Sequence, residues 1–320
     1  MDFDKLRKKF VGPMVPMITP LKEDFELDLE GLRQNARFYV ENGIVDGKAV
    51  LMCATAGGES CSFNVSDRKK IMEAVISEVR GRVPLIMSAQ DCSVDTAIDL
   101  AEYAEKLGYD CVQLSPPFYF GTSKDEVYRF FDLVANEIEI GLMPYNTTWL
   151  GILGGRGIDA ELMGRLLEIP NIIAVKWSSP DWYIWMEVMR KYSDKAAFID
   201  NGYHGLGRLY GASGYLSVPS EFAPEYGLNL WETMGTGDMK KILDELWRLQ
   251  IPYYQWIGKL EAAGINGEGA AVKPPVEMVG LAAGPAKPPY DHEVPEHLKR
   301  ELKRILVKAG VKDKNGDPIR

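Results

Sequence analysis

The chain is 320 residues long, with 46% hydrophobic and 26% charged residues. That is the balance of a globular protein with a sizeable core, and it excludes disorder and a disulfide-stapled mini-fold. Thirty-seven Lys and Arg against 46 Asp and Glu give a net charge of −9, and no run of basic residues offsets it, which argues against nucleic acid as a partner.

The N-terminal stretch Met1–Phe10 is charged throughout and does not read as a signal peptide. No run of roughly 18 apolar residues predicts a membrane span. The four cysteines (Cys53, Cys61, Cys92, Cys111) form no C-x-x-C pair, which suits reduced thiols in a cytoplasm.

Apolar runs then alternate with amphipathic stretches. Val11–Ile18 reads as a strand and 28–42 as a helix with Asp28 at its N-cap. Strand 49–53 and helix 66–79 follow, with Ser66 as the expected cap. Strand 83–88 leads to helix 94–107, stopped by Gly108. The series continues with strand 112–115, helix 123–136, strand 140–145, helix 159–167, strand 172–177 and helix 181–191. Strand 196–199, a short helix 204–210, strand 215–218 and helix 224–234 complete it.

Eight such units predict an α/β fold, a (β/α)8 TIM barrel over 1–235. A doubly wound sheet is disfavoured because the first strand runs into Val15-Pro16-Met17-Ile18-Thr19-Pro20, with no glycine-rich turn. Residues 236–311 read as a C-terminal helical region (238–261, 270–279, 295–311), and 312–320 as a frayed tail.

In such a barrel the reactive groups lie at the C-terminal ends of the strands. Lys176 ends the apolar run Ile172-Ile173-Ala174-Val175, where loss of hydration favours the neutral, nucleophilic amine. Tyr145-Asn146 ends the preceding strand, and a phenol there suits proton transfer. Thr55-Ala56-Gly57-Gly58 follows strand two, a turn whose backbone N–H groups suit an anion. Each has an ordinary structural reading as well: a paired lysine, a packed tyrosine, a flexible turn. The three histidines have no metal-ligand spacing.

Taken in order, these segments resemble the dihydrodipicolinate synthase / N-acetylneuraminate lyase family of Schiff-base lyases. The resemblance rests on Pro16-x-x-Thr19-Pro20, Gly58-Glu59-Ser60, Ser115-Pro116-Pro117-Phe118-Tyr119, Tyr145-Asn146 and Ile173-Ala174-Val175-Lys176. Gly211-Ala212-Ser213-Gly214-Tyr215-Leu216-Ser217-Val218 and the Val272-Lys273…Gly280-Leu281…Pro288-Pro289 tail extend it over nearly the whole chain.

The resemblance implies a lyase or aldolase in which Lys176 forms an imine with pyruvate or a related 2-oxo acid. Tyr145 would shuttle the proton, and Thr55, Ala56, Gly57 and Gly58 would hold the carboxylate. Asn146, Trp149, Leu216 and Tyr119 are further candidate substrate contacts. No metal or cofactor is implied. The partners would be the 2-oxo acid and an aldehyde, and the assembly a homotetramer or homodimer with Phe118 or Tyr119 reaching a neighbour.

Two departures bear on the substrate. The synthase branch carries hydroxyl residues where this chain has Ala56 and Gly57, so Thr55, Ser60 or water would complete the proton relay. It also has an arginine where this chain has Leu150, beside Trp149 and short of Arg156; leucine offers no bidentate clamp for a carboxylate. The expectation is therefore an apolar or aromatic aldehyde, as in hydratase-aldolases. A sugar-acid aldolase or dehydratase, a dihydrodipicolinate synthase-like enzyme and a non-catalytic 2-oxo-acid binding protein are the alternatives.

Overall fold

The computed structural model describes residues 2–150, 152–155 and 157–319; Gly151 and Arg156 lie outside the described residues, as do the side chains of Trp149 and Ile152. Eight parallel strands form a single sheet: β1 Gly12–Pro16, β2 Val50–Cys53, β3 Leu85–Ser88, β4 Cys111–Leu114, β5 Gly141–Pro144, β6 Ala174–Trp177, β7 Ala197–Asp200 and β8 Gly214–Leu216. Their order is β5-β4-β3-β2-β1-β8-β7-β6. Parallel bridges Leu142↔Ile172 and Tyr145↔Lys176 join the two ends, so the sheet closes into the expected (β/α)8 barrel.

The helices are α1 Phe3–Arg7, α2 Leu29–Glu41, α3 Val65–Val79, α4 Val94–Leu107, α5 Lys124–Ala135, α6 Ala160–Leu166 and α7 Trp182–Tyr192. Then come α8 Pro224–Gly235, α9 Met239–Glu245, α10 Ile251–Ala262, α11 Glu268–Met278 and α12 Glu296–Ala309. The chain forms two compact units. One comprises Met1–Met14, Val45–Met52 and Arg80–Leu216; the other comprises Val15–Ile44, Cys53–Val79 and Ser217–Arg320. The first holds the strands, apart from the last residues of β1 and β2, together with α1 and α4 to α7. The second holds α2, α3 and the C-terminal helices.

Local chemistry accounts for most boundaries. Asp28 caps α2 by accepting from the Gly31 N–H at 2.9 Å, and Gly108 ends α4 in the left-handed region at φ 91°. Ser123 and Glu126 form a capping box on α5. The cap of α3 differs from expectation. Asn64, not Ser66, accepts from the Asp67 N–H at 2.9 Å, and Ser66 lies inside the helix.

The single helix expected over 238–261 is broken by a π-turn, Leu246–Gln250, between α9 and α10. Pro252 is the cause, since its missing N–H and its ring prevent a regular bond to the carbonyl of residue 248. The short helix expected at 204–210 is one 3₁₀ turn, Gly207–Tyr210. The 312–319 tail is not frayed. A bridge Lys312↔Pro318 closes it, and the Lys314 N–H donates to the Val279 carbonyl at 2.8 Å.

The register fixes which side chains enter the barrel. The Trp177–Asp200–Tyr215 row faces the helices, because Asp200 meets Trp185 of α7 and the Tyr215 ring lies 5.8 Å from His204. Side chains alternate along a strand. Lys176, paired with Ile199, therefore points to the interior, and Trp177 packs fully buried in the outer layer.

Candidate active site

Lys176 and Tyr145 arrive on neighbouring strands at the seam where the barrel closes. The Asn146 N–H donates to the Lys176 carbonyl at 3.2 Å, which locks β6 to the end of β5 and sets the two side chains on one face. Both residues are 5% exposed. The Lys176 Nζ lies 3.9 Å from the centroid of the Tyr145 ring, on its face. The structure thus brings together two of the residues singled out in the sequence, an amine and a phenol, side by side.

Sequence reasoning gave Asn201 no part in orienting the phenol. It follows β7 on the same inward parity as Ile199, and its N–H donates to the Trp177 carbonyl at 2.8 Å. Its Nδ2 donates to the Tyr145 hydroxyl oxygen at 3.2 Å. An amide donor on a phenolic oxygen favours the phenolate and turns the O–H toward another acceptor. The signal was a polar residue two beyond the inward Ile199 of an apolar strand.

Beneath Tyr145 the interior carries a second polar layer. Gln113, two residues below in register and paired with Met143 and Ser88, donates to Ser88 Oγ at 3.4 Å, and Ser88 Oγ donates to Gln90 Oε1 at 3.0 Å. Gln113 Oε1 and the Ser115 hydroxyl are buried without a hydrogen-bond partner among the described residues. The alternation Val112-Gln113-Leu114-Ser115 is where sequence had offered this signal.

The other candidates fare differently. Asn146 is 0% exposed, its Nδ2 donating to the Ser178 carbonyl at 2.7 Å and its Oδ1 accepting from the Ile158 N–H at 2.9 Å. Its amide thus bonds at both ends to the following loop and holds it. A Cβ at Gly157 would lie 2.6 Å from Asn146 Oδ1, so the loop passes only because that residue is glycine.

Leu216 ends β8 on the inward face, on the same parity as Gly214, which pairs with Ile199. Tyr119 is 79% exposed and stands edge-on to Phe120 at 5.0 Å; within one chain it covers nothing. The Trp149 side chain and Arg156 lie outside the described residues.

The Thr55–Ser60 turn belongs to the second unit. The Gly58 N–H donates to Thr55 Oγ1 at 2.8 Å, and the Glu59 and Ser60 N–H groups donate to the carbonyls of Ala56 (2.8 Å) and Thr55 (3.0 Å). Gly58 is therefore spent within the turn, and Ala56 and Gly57 carry the candidate anion donors. A Cβ at Gly58 would lie 2.8 Å from the Met17 carbonyl oxygen, so this position requires glycine. Ser60 Oγ is buried without a hydrogen-bond partner among the described residues.

Cys53 and Cys111 are buried, and burial pushes the Cys111 thiol well up, so it is inert packing. Burial likewise holds His204 below its usual value, which Asp200 at 4.0 Å only partly offsets. Among the described residues no group of three His, Cys, Asp or Glu is placed to hold a metal, and no helix is long and apolar enough to cross a membrane.

The family model described as "Dihydrodipicolinate synthetase family" matches residues 9–309. The chain belongs to that family. It is an enzyme of the lysine Schiff-base aldolase and lyase class. Among relatives in this family, a 4-hydroxy-tetrahydrodipicolinate synthase of Methanopyrus kandleri is 27% identical over 313 residues, 95% of this chain and 98% of that protein. One from Pelobacter propionicus is 30% identical over 278 residues, 86% and 90% of the two chains.

Solved structures agree on the fold. Dihydrodipicolinate synthase from Aquifex aeolicus has a TM-score of 0.81 at 23% identity, covering 97% of this chain and 100% of that one. N-acetylneuraminate lyase from Mycoplasma synoviae has 0.79 at 22% identity, covering 94% and 98%.

Proposed function

We propose that the protein joins Lys176 to the keto carbon of pyruvate or a related 2-oxo acid and then makes or breaks a carbon–carbon bond to an aldehyde. The observation that carries this is the Lys176 amine on the face of the Tyr145 ring at 3.9 Å, both buried at the barrel seam. Attack of the amine on the ketone gives a carbinolamine, and loss of water gives the imine. The protonated imine draws electrons from the neighbouring carbon, which sheds a proton to become an enamine or releases an aldehyde when the bond beyond it breaks. Tyr145 would carry the proton between nitrogen and oxygen, oriented by Asn201. The N–H groups of Ala56 and Gly57 are proposed as the carboxylate holders, a role that rests on the family resemblance and on the turn's own construction.

For the aldehyde, an apolar or aromatic group is the leading class. Its support is Leu150 where the synthase branch has a carboxylate-binding arginine, which argues against lysine-pathway synthesis. Sugar-acid aldolase or dehydratase activity is the second reading, favoured by the inward Ser88, Gln113 and Ser115, of which Gln113 Oε1 and the Ser115 hydroxyl have no hydrogen-bond partner among the described residues. A homotetramer or homodimer, with the exposed Phe118–Tyr119 loop at a neighbour, and a cytoplasmic setting suited to four free thiols complete the proposal.

The test is borohydride reduction with pyruvate, followed by peptide mass spectrometry and an aldehyde panel of aryl, sugar and aspartate semialdehyde members. An Nε-(1-carboxyethyl) adduct on Lys176, lost in Lys176→Ala, is expected. Ligand-induced thermal stabilisation with no adduct and no turnover would leave a binding protein instead.

A further inference from the structure

The Val272-Lys273 segment reads in sequence only as helix, yet it has a distant partner. Lys273, on α11, has a side chain 3% exposed, and its Nζ lies 2.6 Å from Glu59 Oε2, on a side chain 5% exposed. That contact is an ion pair off the hydrogen-bond direction. The ammonium also donates to the Pro285 carbonyl at 2.6 Å. The other oxygen, Glu59 Oε1, accepts the Lys287 N–H at 2.6 Å. A Cβ at Gly269 would stand 2.4 Å from that oxygen, so α11 approaches the carboxylate only because residue 269 is glycine. α11 and the 285–287 loop that follows it thus converge on one buried carboxylate from a distant part of the chain.

Two features say what the convergence does. Glu59 sits at φ 60°, a left-handed backbone that non-glycine residues keep only where the surroundings over-determine it. A buried ion pair is a weak source of net stability, because desolvation offsets the attraction and apolar replacements often do as well. What this pair supplies is place. Glu59 and its neighbour Ser60 bond back to the Ala56 and Thr55 carbonyls, so any shift of Glu59 passes directly into the turn.

We propose that Lys273 and Glu59 are positioning residues that hold the Thr55–Gly58 turn in its anion-binding shape, and so set the preference for 2-oxo acids over uncharged ketones. The proposal rests on the reading of that turn as the carboxylate holder.

The experiment follows borohydride trapping against concentration for pyruvate and for methyl pyruvate, whose carboxylate is masked. The proteins are the wild type, Glu59→Gln, Lys273→Met and the double variant Glu59→Gln/Lys273→Met. The double variant removes both charges at similar volume and leaves no ion buried alone, so it covers the case in which Lys273→Met does not fold. It is expected to raise half-saturating pyruvate about five-fold or more while its maximal trapping rate stays within about three-fold. Half-saturation by the ester should not move, so the acid-over-ester preference falls by the same factor. Glu59→Gln keeps an acceptor for the Lys287 N–H and should lie closest to wild type. A smaller rise in the double variant, or equal losses for acid and ester, overturns the proposal. No adduct on wild-type protein overturns the Lys176 reading itself, and this inference with it.

Discussion

Replacing Tyr145 by Phe isolates the proton-transfer step, because the ring stays and only the hydroxyl leaves. The residue is 5% exposed, so its apolar burial and its face toward Lys176 persist. The bond from Asn201 Nδ2 is long, at 3.2 Å, and a neutral hydrogen bond is worth about 0.5–1.5 kcal/mol of stability. Loss of a positioned acid–base group lowers rates by about 10²–10⁴, equivalent to roughly 3–5 kcal/mol in the barrier. The two effects differ enough to be separated. The assay is exchange of the pyruvate methyl hydrogens in D2O, followed by NMR, which reports the imine–enamine step without needing the second substrate. Exchange about a hundred-fold or more slower, with the melting temperature down by only a few degrees, is expected. Exchange within about three-fold of wild type would refute a proton-carrying role for the phenol.

Asn201→Leu should slow the same exchange by about ten-fold through loss of the donor on the phenolic oxygen, and should add nothing in the Tyr145→Phe background, since coupled residues are non-additive; full additivity would uncouple the two residues. Burial pushes the Glu221 carboxyl well above its ordinary value, so the folded state holds a proton that the unfolded state releases, and stability falls as pH rises from the ordinary glutamate value toward the raised one. Glu221→Gln should therefore raise the melting temperature at pH 7–8 and change it little near pH 4; equal shifts at both would refute this. Gly57→Ala should stabilise by about 0.4–1 kcal/mol through the unfolded state, because its Cβ would meet nothing nearer than 3.4 Å. Gly58→Ala should destabilise by about 1–3 kcal/mol, because its Cβ would lie 2.8 Å from the Met17 oxygen; denaturant unfolding of the pair checks both.

How far the molecule is legible in its sequence depends on the range of the interaction concerned. Helix 94–107 needed only its own stop glycine, and it ends at Gly108 as expected. The Asn64 and Ser66 caps lie two residues apart and are equally good by type, so only the observed bond to the Asp67 N–H separates them. The π-turn was readable from Pro252, had the proline been weighed against an unbroken period. The pairing of Lys176 with Tyr145 at the seam was within reach of the sequence because a polar residue ending an apolar strand is a local signal. The commitments of Asn146 to residues 158 and 178, and of Lys273 to Glu59, depend on where distant segments meet. No periodicity carries that information, which is why the loop-holding bonds of Asn146 and the partner of Lys273 are not legible in the sequence.

The same distinction bears on the departure at Ala56. A missing hydroxyl matters to the extent that the tyrosine depends on it for polarisation. Here the phenolic oxygen receives a donor from Asn201, anchored by its own N–H to the strand that carries the lysine. A fixed donor of that kind favours proton release from the phenol without a side chain at residue 56. Thr55 Oγ1, the nearest hydroxyl in sequence, already accepts from the Gly58 N–H, so its oxygen serves the turn first. Restoring the hydroxyl with Ala56→Ser should therefore leave methyl-hydrogen exchange within about three-fold of wild type. A large gain in the otherwise unaltered protein would mean that the relay is broken as it stands, and that Asn201 does not replace it.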